Sequence, residues 1–87
     1  MLTFDSHFVA DSDSRCIIWA DESVFGRVQF SIGSLILVDT LHGENPVASD
    51  RNRVLCEQKR SLIEAACKRA FKERPTEFVE LQTRDFQ

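Results

Sequence analysis

Three cysteines, two histidines and one lysine in an apolar setting are the side chains of this 87-residue chain with chemistry to offer. Cys16, Cys56 and Cys67 include no CxxC pair, and their odd number argues against a disulfide framework. On a common helix Cys56 and Cys67 share one side but sit roughly 16 Å apart along its axis, beyond disulfide reach. His7 and His42 have no ligand spacing to any cysteine, so no zinc site is expected. Reduced thiols packed as small apolar side chains fit the pattern better. Cys16 has Arg15 beside it, a cation that favours thiolate, but its strand position favours burial.

Lys59 lies on the helical wheel inside an apolar arc formed by Leu55, Cys56, Ile63 and Ala66. Burial there would lower its pKa, the usual route to an amine nucleophile. The competing reading is a lysine whose stem follows apolar surface while its ammonium reaches water or pairs with Asp39 or Glu44. His42, between Asp39 and Glu44 in a glycine-containing loop, has the residue type of a general base. A base needs a positioned partner and a pocket, and a solvent-facing loop histidine asks for neither. No GxSxG, HExxH or P-loop pattern occurs. The expectation is a protein without catalytic residues, metal or cofactor.

The elements that would position these side chains follow from periodicity. Residues 1–14 read as an irregular N-terminal arm, with a short edge strand near Thr3-Phe4 and a turn at Asp11-Ser12-Asp13-Ser14. Residues 15–87 read as a single α+β domain. Arg15–Ala20 is β-branched and aromatic, Asp21-Glu22-Ser23 supplies a hairpin connection, and Val28, Phe30 and Ile32 alternate with polar residues in a second strand. Gly33–Leu41 is ambiguous between strand and helix. Ser34 as a cap and Gly43 as a terminating glycine favour a short helix over Ser34–Leu41.

Ser49–Arg74 reads as one long amphipathic helix, capped by Ser49 or Asp50, with Asn45-Pro46 as an alternative start, and stopped by Pro75. Leu55, Cys56, Leu62, Ile63, Ala66, Cys67 and Ala70 share its apolar face, with Phe71 at the edge. Glu77–Thr83 reads as a last strand. The order β-β-α-α-β predicts a two-layer domain: a small, mainly antiparallel sheet covered by the long helix. Such a helix spans roughly 36 Å against about 20–30 Å for the strands, so one end should outrun the sheet.

Charge is the strongest lead to a partner. Residues 51–74 hold eight of the eleven Lys and Arg and three acids, a net +5, against a net −8 elsewhere. Arg53, Lys59, Arg60, Lys68, Arg69 and Lys72 make up the candidate interaction surface. Nucleic acid would meet such cations through its phosphates. A pI near 5.3, dispersed basic residues and no interleaved aromatic side chain make that the second choice. Arg60 also has a structural reading, bracing an acidic loop or Asp85. Trp19 reads as a packing residue on a sheet face.

Three ordered stretches carry a resemblance: Val28-x-Phe30-x-Ile32 with Leu35, then Arg60-x-x-Ile63-x-x-Ala66 running to Phe71, then Val79-x-Leu81-x-Thr83-x-Asp85-Phe86. Together they resemble a family of small uncharacterised bacterial proteins, domain of unknown function 1488, over about residues 15–86. Two departures stand out. The family usually has an aromatic residue where this chain has Cys56, and a glycine-containing turn where this chain reads Asp21-Glu22-Ser23. The resemblance implies a small α+β domain and brings no reaction, cofactor or site residue with it.

No apolar run approaches the roughly 18 residues of a membrane span, and the N-terminus has no secretory pattern. The chain therefore reads as a cytoplasmic, non-enzymatic interaction or regulatory module that forms a homodimer. A nucleic-acid-associated regulator using the basic helix is the alternative.

Overall fold

The computed structural model describes residues 1–10, 15–42 and 49–87. The turn expected at 11–14, Gly43, Glu44 and the Asn45-Pro46 cap lie outside them. The described residues form a small, compact α+β fold with five strands and three α-helices. The strands are β1 (Thr3–Phe4), β2 (Val9–Ala10), β3 (Cys16–Glu22), β4 (Gly26–Ile32) and β5 (Phe78–Glu80). The helices are α1 (Ser34–Asp39), α2 (Ser49–Gln58) and α3 (Arg60–Glu73), followed by a 3₁₀ turn at Thr83–Phe86.

β3 and β4 form the central antiparallel hairpin, in register from Cys16↔Ile32 to Glu22↔Gly26. β3 runs two residues past its expected end, which moves the connection from Asp21-Glu22-Ser23 to Ser23-Val24-Phe25. The side chains account for the shift. Asp21 pairs across the strands with Arg27 at 3.0 Å, and the Glu22 carboxylate accepts the Val24 and Phe25 N–H groups at 2.6 and 2.8 Å. Gly26 closes the loop at φ +76°, a left-handed conformation that glycine adopts without a Cβ penalty.

The N-terminal arm contributes two short strands. β1 and β2 pair antiparallel with opposite halves of β3 along its outer edge. Phe8 between them is buried in the core. β5 lies on the other side of β4 and runs parallel to it, so the sheet is mixed, with its other three pairings antiparallel as expected. A strand reached through a helical crossover returns in the direction of the strand it left, which a hairpin strand cannot do. β5 covers only three residues of the expected Glu77–Thr83 strand, because Thr83–Phe86 winds into the 3₁₀ turn.

Gly33–Leu41 is helical as favoured, but α1 ends at Asp39 and is capped by Gly33, with Ser34 as its first residue and no side-chain cap. The long helix is two helices. At Lys59 (φ −104°, ψ 25°) the backbone leaves helical geometry for one residue, although Lys59 N–H still bonds the Leu55 carbonyl and Ile63 N–H the Lys59 carbonyl. No proline or glycine sits at the break. α2 packs on β2 and β3.

The core gathers the inward residues of the sheet, Cys16, Ile18, Ala20, Val28, Phe30, Ile32 and Val79, under Cys56, Ile63, Ala66, Cys67 and Ala70. Burial of Ile63, Ala66, Cys67 and Ala70 matches the predicted helix face, whereas Leu62 is 44% exposed. All three cysteines are free and buried.

Candidate functional site

The six candidate basic residues do not form one surface. Arg60 points at the N-terminal arm. Its guanidinium donates to the backbone carbonyls of Asp5 and Ser6, pairs with Glu64 at 2.6 Å and lies 5.6 Å from the Phe8 ring centroid. It clamps β1 and Phe8 to α3, a structural task. Asp85, its alternative partner in the sequence reading, is held instead by Arg74 at 2.7 Å. Arg69 donates to the carbonyls of Asp85 and Gln87 and pins the C-terminal segment. Arg53 is half-buried on α2, with its charge acting on Cys16.

Lys59 is half-buried at the break between α2 and α3. Lys68 and Lys72 are exposed, one turn apart on α3, and neither has an ion pair among the described residues. Lys72 lines two shallow concavities. One, of about 480 Å³, is shared with Arg69, Glu73, Arg84 and Asp85. The other, of about 370 Å³, is shared with Met1, Leu2, Lys68 and Phe71. Neither is lined by Lys59 or His42. His42 is exposed and holds a left-handed backbone at φ 62°. Among the described residues, no three His, Cys, Asp or Glu side chains gather as a metal site.

Little of the charge polarity is cancelled by ion pairs among the described residues. Arg74–Asp85 joins a cation of the basic segment to an acid outside it, whereas Arg84–Glu73 and the His7–Glu57 contact join acids of the helices to basic groups outside them. Glu57 accepts the Phe8 N–H at 2.9 Å and approaches His7 at 3.5 Å. Those contacts, the Phe8 N–H foremost, hold its carboxyl below the ordinary glutamate value. Asp5 is likewise lowered, chiefly by its hydrogen bond from Arg27. A carboxyl depressed in the folded state adds stability above its unfolded pKa and loses it as pH falls through the folded value. Melting temperature should thus decline from roughly pH 5 to pH 3, and Glu57→Gln should flatten that decline in thermal scans.

The second surface is one that sequence reasoning missed. Strand pairing places Trp19, Gln29 and Phe78 in one row across β3, β4 and β5, and Val9 beside Ile17 in the next. Partnered residues project to the same side, so this face is opposite the buried Ile18, Phe30 and Val79. Phe78 is 66% and Val9 53% exposed, while Ile17 and Trp19 are half-buried. The Arg27 guanidinium lies 5.5 Å from the Trp19 ring and pairs with Asp5 and Asp21 at one end. Arg15 approaches Glu80 at 3.4 Å at the other. The sequence signal was present in Cys16–Ala20, an unbroken apolar run that supplies both faces of a strand.

No family model, curated protein or solved structure matches this chain. The functional reading therefore rests on these surfaces. No helix among the described residues is long and apolar enough to cross a membrane.

Proposed function

We propose that this protein is a small, non-catalytic interaction module of the cytoplasm that pairs with a second copy of itself through the open face of its sheet. The observation that carries this reading is the apolar patch of Val9, Ile17, Trp19 and Phe78 on a face flanked by ion pairs at both ends. Contiguous apolar surface rimmed by charge is the usual mark of a protein contact. Two such faces pack at about 10 Å, and a twofold axis across the strands brings apolar row onto apolar row. The same axis sets the Arg27–Asp5–Asp21 cluster of one copy against the Arg15–Glu80 pair of the other. The contact is thus driven by apolar burial.

The resemblance to the domain of unknown function 1488 family remains the family reading we favour. Gly26 opens β4 directly after the Ser23-Val24-Phe25 connection, and the Asp85-Phe86 pair is a built feature, with Asp85 buried against Arg74. The basic helix gives the nucleic-acid alternative little support, because Arg60 and Arg69 are engaged within the fold.

Sedimentation velocity at low and high salt tests the reading. A dimer should persist at both, and Trp19→Glu combined with Phe78→Glu should give a folded monomer by circular dichroism. A wild-type monomer at high micromolar concentration overturns self-association. DNA binding at low salt, lost on Lys68→Glu and Lys72→Glu, would favour the alternative.

A further inference from the structure

One concavity of this fold joins apolar surface to charge that its own acids leave uncompensated. Lys68 and Lys72 are exposed and one turn apart on α3, so they rise from the same side of the helix. Like charges at that spacing repel and destabilise a helix. The acids that could relieve them are committed elsewhere. Glu64, one turn before Lys68, pairs with Arg60 at 2.6 Å, and Glu73, next to Lys72, holds Arg74 and Arg84.

Beside this cation pair lies apolar surface anchored to the core. Phe71 and Leu2 are half-buried and pack on the core cluster, and with Met1 and the two lysines they line the concavity of about 370 Å³. Ligand pockets run from about 300 to 1,000 Å³, so this one suits a small molecule. Phe71 also stands edge-on to Phe25 at 5.7 Å, so apolar surface continues from the concavity to the exposed Phe25 of the β3–β4 connection. The lining side chains thus offer cations and apolar surface, and no carboxylate, hydroxyl or amide.

We propose that this concavity is a binding site for a single-chain carboxylate, a fatty acid, with its head between Lys68 and Lys72 and its chain on Phe71, Leu2 and Met1. Charge complementarity selects the head. One carboxylate between the two ammonium groups relieves their repulsion and accepts a charge-assisted hydrogen bond from each. The lining selects the rest of the ligand. It offers no side-chain acceptor to a peptide N–H or a sugar hydroxyl, whereas a hydrocarbon chain needs none and gains by covering apolar surface. The neighbouring concavity of about 480 Å³ is a poorer anion site, because Glu73 and Asp85 line it and its Arg69 and Arg84 are engaged within the fold. The fatty-acid site lies on the α3 side of the sheet, away from Trp19 and Phe78, and does not depend on self-association.

The test titrates the full chain with dodecanoate below its micelle concentration, by calorimetry and by amide chemical shifts. One saturable site per chain is expected, with shifts centred on Leu2, Lys68, Phe71 and Lys72. Acetate, which has the head without the chain, and dodecanol, which has the chain without the charge, should each bind at least about tenfold more weakly. Lys68→Gln combined with Lys72→Gln should weaken dodecanoate by about tenfold, and high salt should weaken it in the wild type. Both lysines are exposed, so the melting temperature of the free double variant should stay within about 4 °C of wild type. No saturable binding, equal affinity in the double variant, or dodecanol binding as tightly as dodecanoate overturns the proposal. Shifts centred on Trp19 and Phe78, or binding to anionic vesicles without a dodecanoate complex, overturn it as well.

Discussion

Replacing Phe30 with alanine should remove a large share of the stability of this protein. Phe30 is fully buried at the centre of β4, opposite Ile18 on β3 and Val79 on β5. Its ring centroid lies 6.0 Å from Phe4 and 6.4 Å from Phe71, the latter edge-on, and Phe71 in turn meets Phe25 at 5.7 Å. One side chain thus links the N-terminal strand, the central hairpin and α3. Truncating a buried phenylalanine costs about 3–5 kcal/mol, through lost transfer energy and the cavity left behind. A chain of this length has a total stability of roughly 4–13 kcal/mol. The melting temperature should fall by roughly 12–40 °C, at the 4–8 °C per kcal/mol typical of small domains. Phe30→Leu, which keeps most of the volume, should cost under about 1.5 kcal/mol. Calorimetry showing Phe30→Ala within a few degrees of wild type would mean that this ring does not hold the layers together.

The parts of the fold legible in the sequence are those set by local periodicity. Val28, Phe30 and Ile32 alternate cleanly with polar residues and are buried as read. The apolar face at Ile63, Ala66, Cys67 and Ala70 follows helical spacing and packs as read. What was not legible depends on where distant segments meet. The break at Lys59 has no breaker residue; the N-terminal arm docks on both sides of it, with Glu57 on the Phe8 N–H and Arg60 on the Asp5 and Ser6 carbonyls. β2 has two residues, too few to show any period. The direction of β5 is set by its connection, not its composition.

The candidate site divides along the same line. Charge asymmetry was countable, but it did not reveal that Arg60 and Arg69 spend their hydrogen bonds on backbone carbonyls. A helical wheel finds Cys56 and Cys67 on one face and misses Cys16, because only the packing of α2 on β3 brings the Cys16 thiol to the Asn52 carbonyl. The apolar patch at Trp19 and Phe78 needed the β3–β4–β5 register, which no single strand contains.

The Asp85 carboxylate should be the most costly polar group to remove. It is 3% exposed, and one oxygen accepts both the Arg74 guanidinium at 2.7 Å and the Gln82 N–H at 2.8 Å. The Asp85 N–H donates to the Gln82 carbonyl at 2.9 Å, which closes the 3₁₀ turn against α3. Asp85→Ala leaves two donors without their acceptor, one of them charged. Breaking one side of a buried pair costs about 3–5 kcal/mol. Arg74 is 26% exposed and keeps Glu73 at 3.2 Å, so it recovers part of that through water and the second carboxylate. A net loss of about 2–3 kcal/mol, or roughly 10–20 °C in melting temperature, is the expected result. Asp85→Asn retains an oxygen for the Gln82 N–H and loses only the charge, so its cost should be about half as large. Arg74→Met in the Asp85→Ala background should add little, since the pair is already broken, whereas Arg74→Met alone should be costly. Additive losses in that cycle would show that the two side chains stabilise the C-terminal turn independently, against the contact described above.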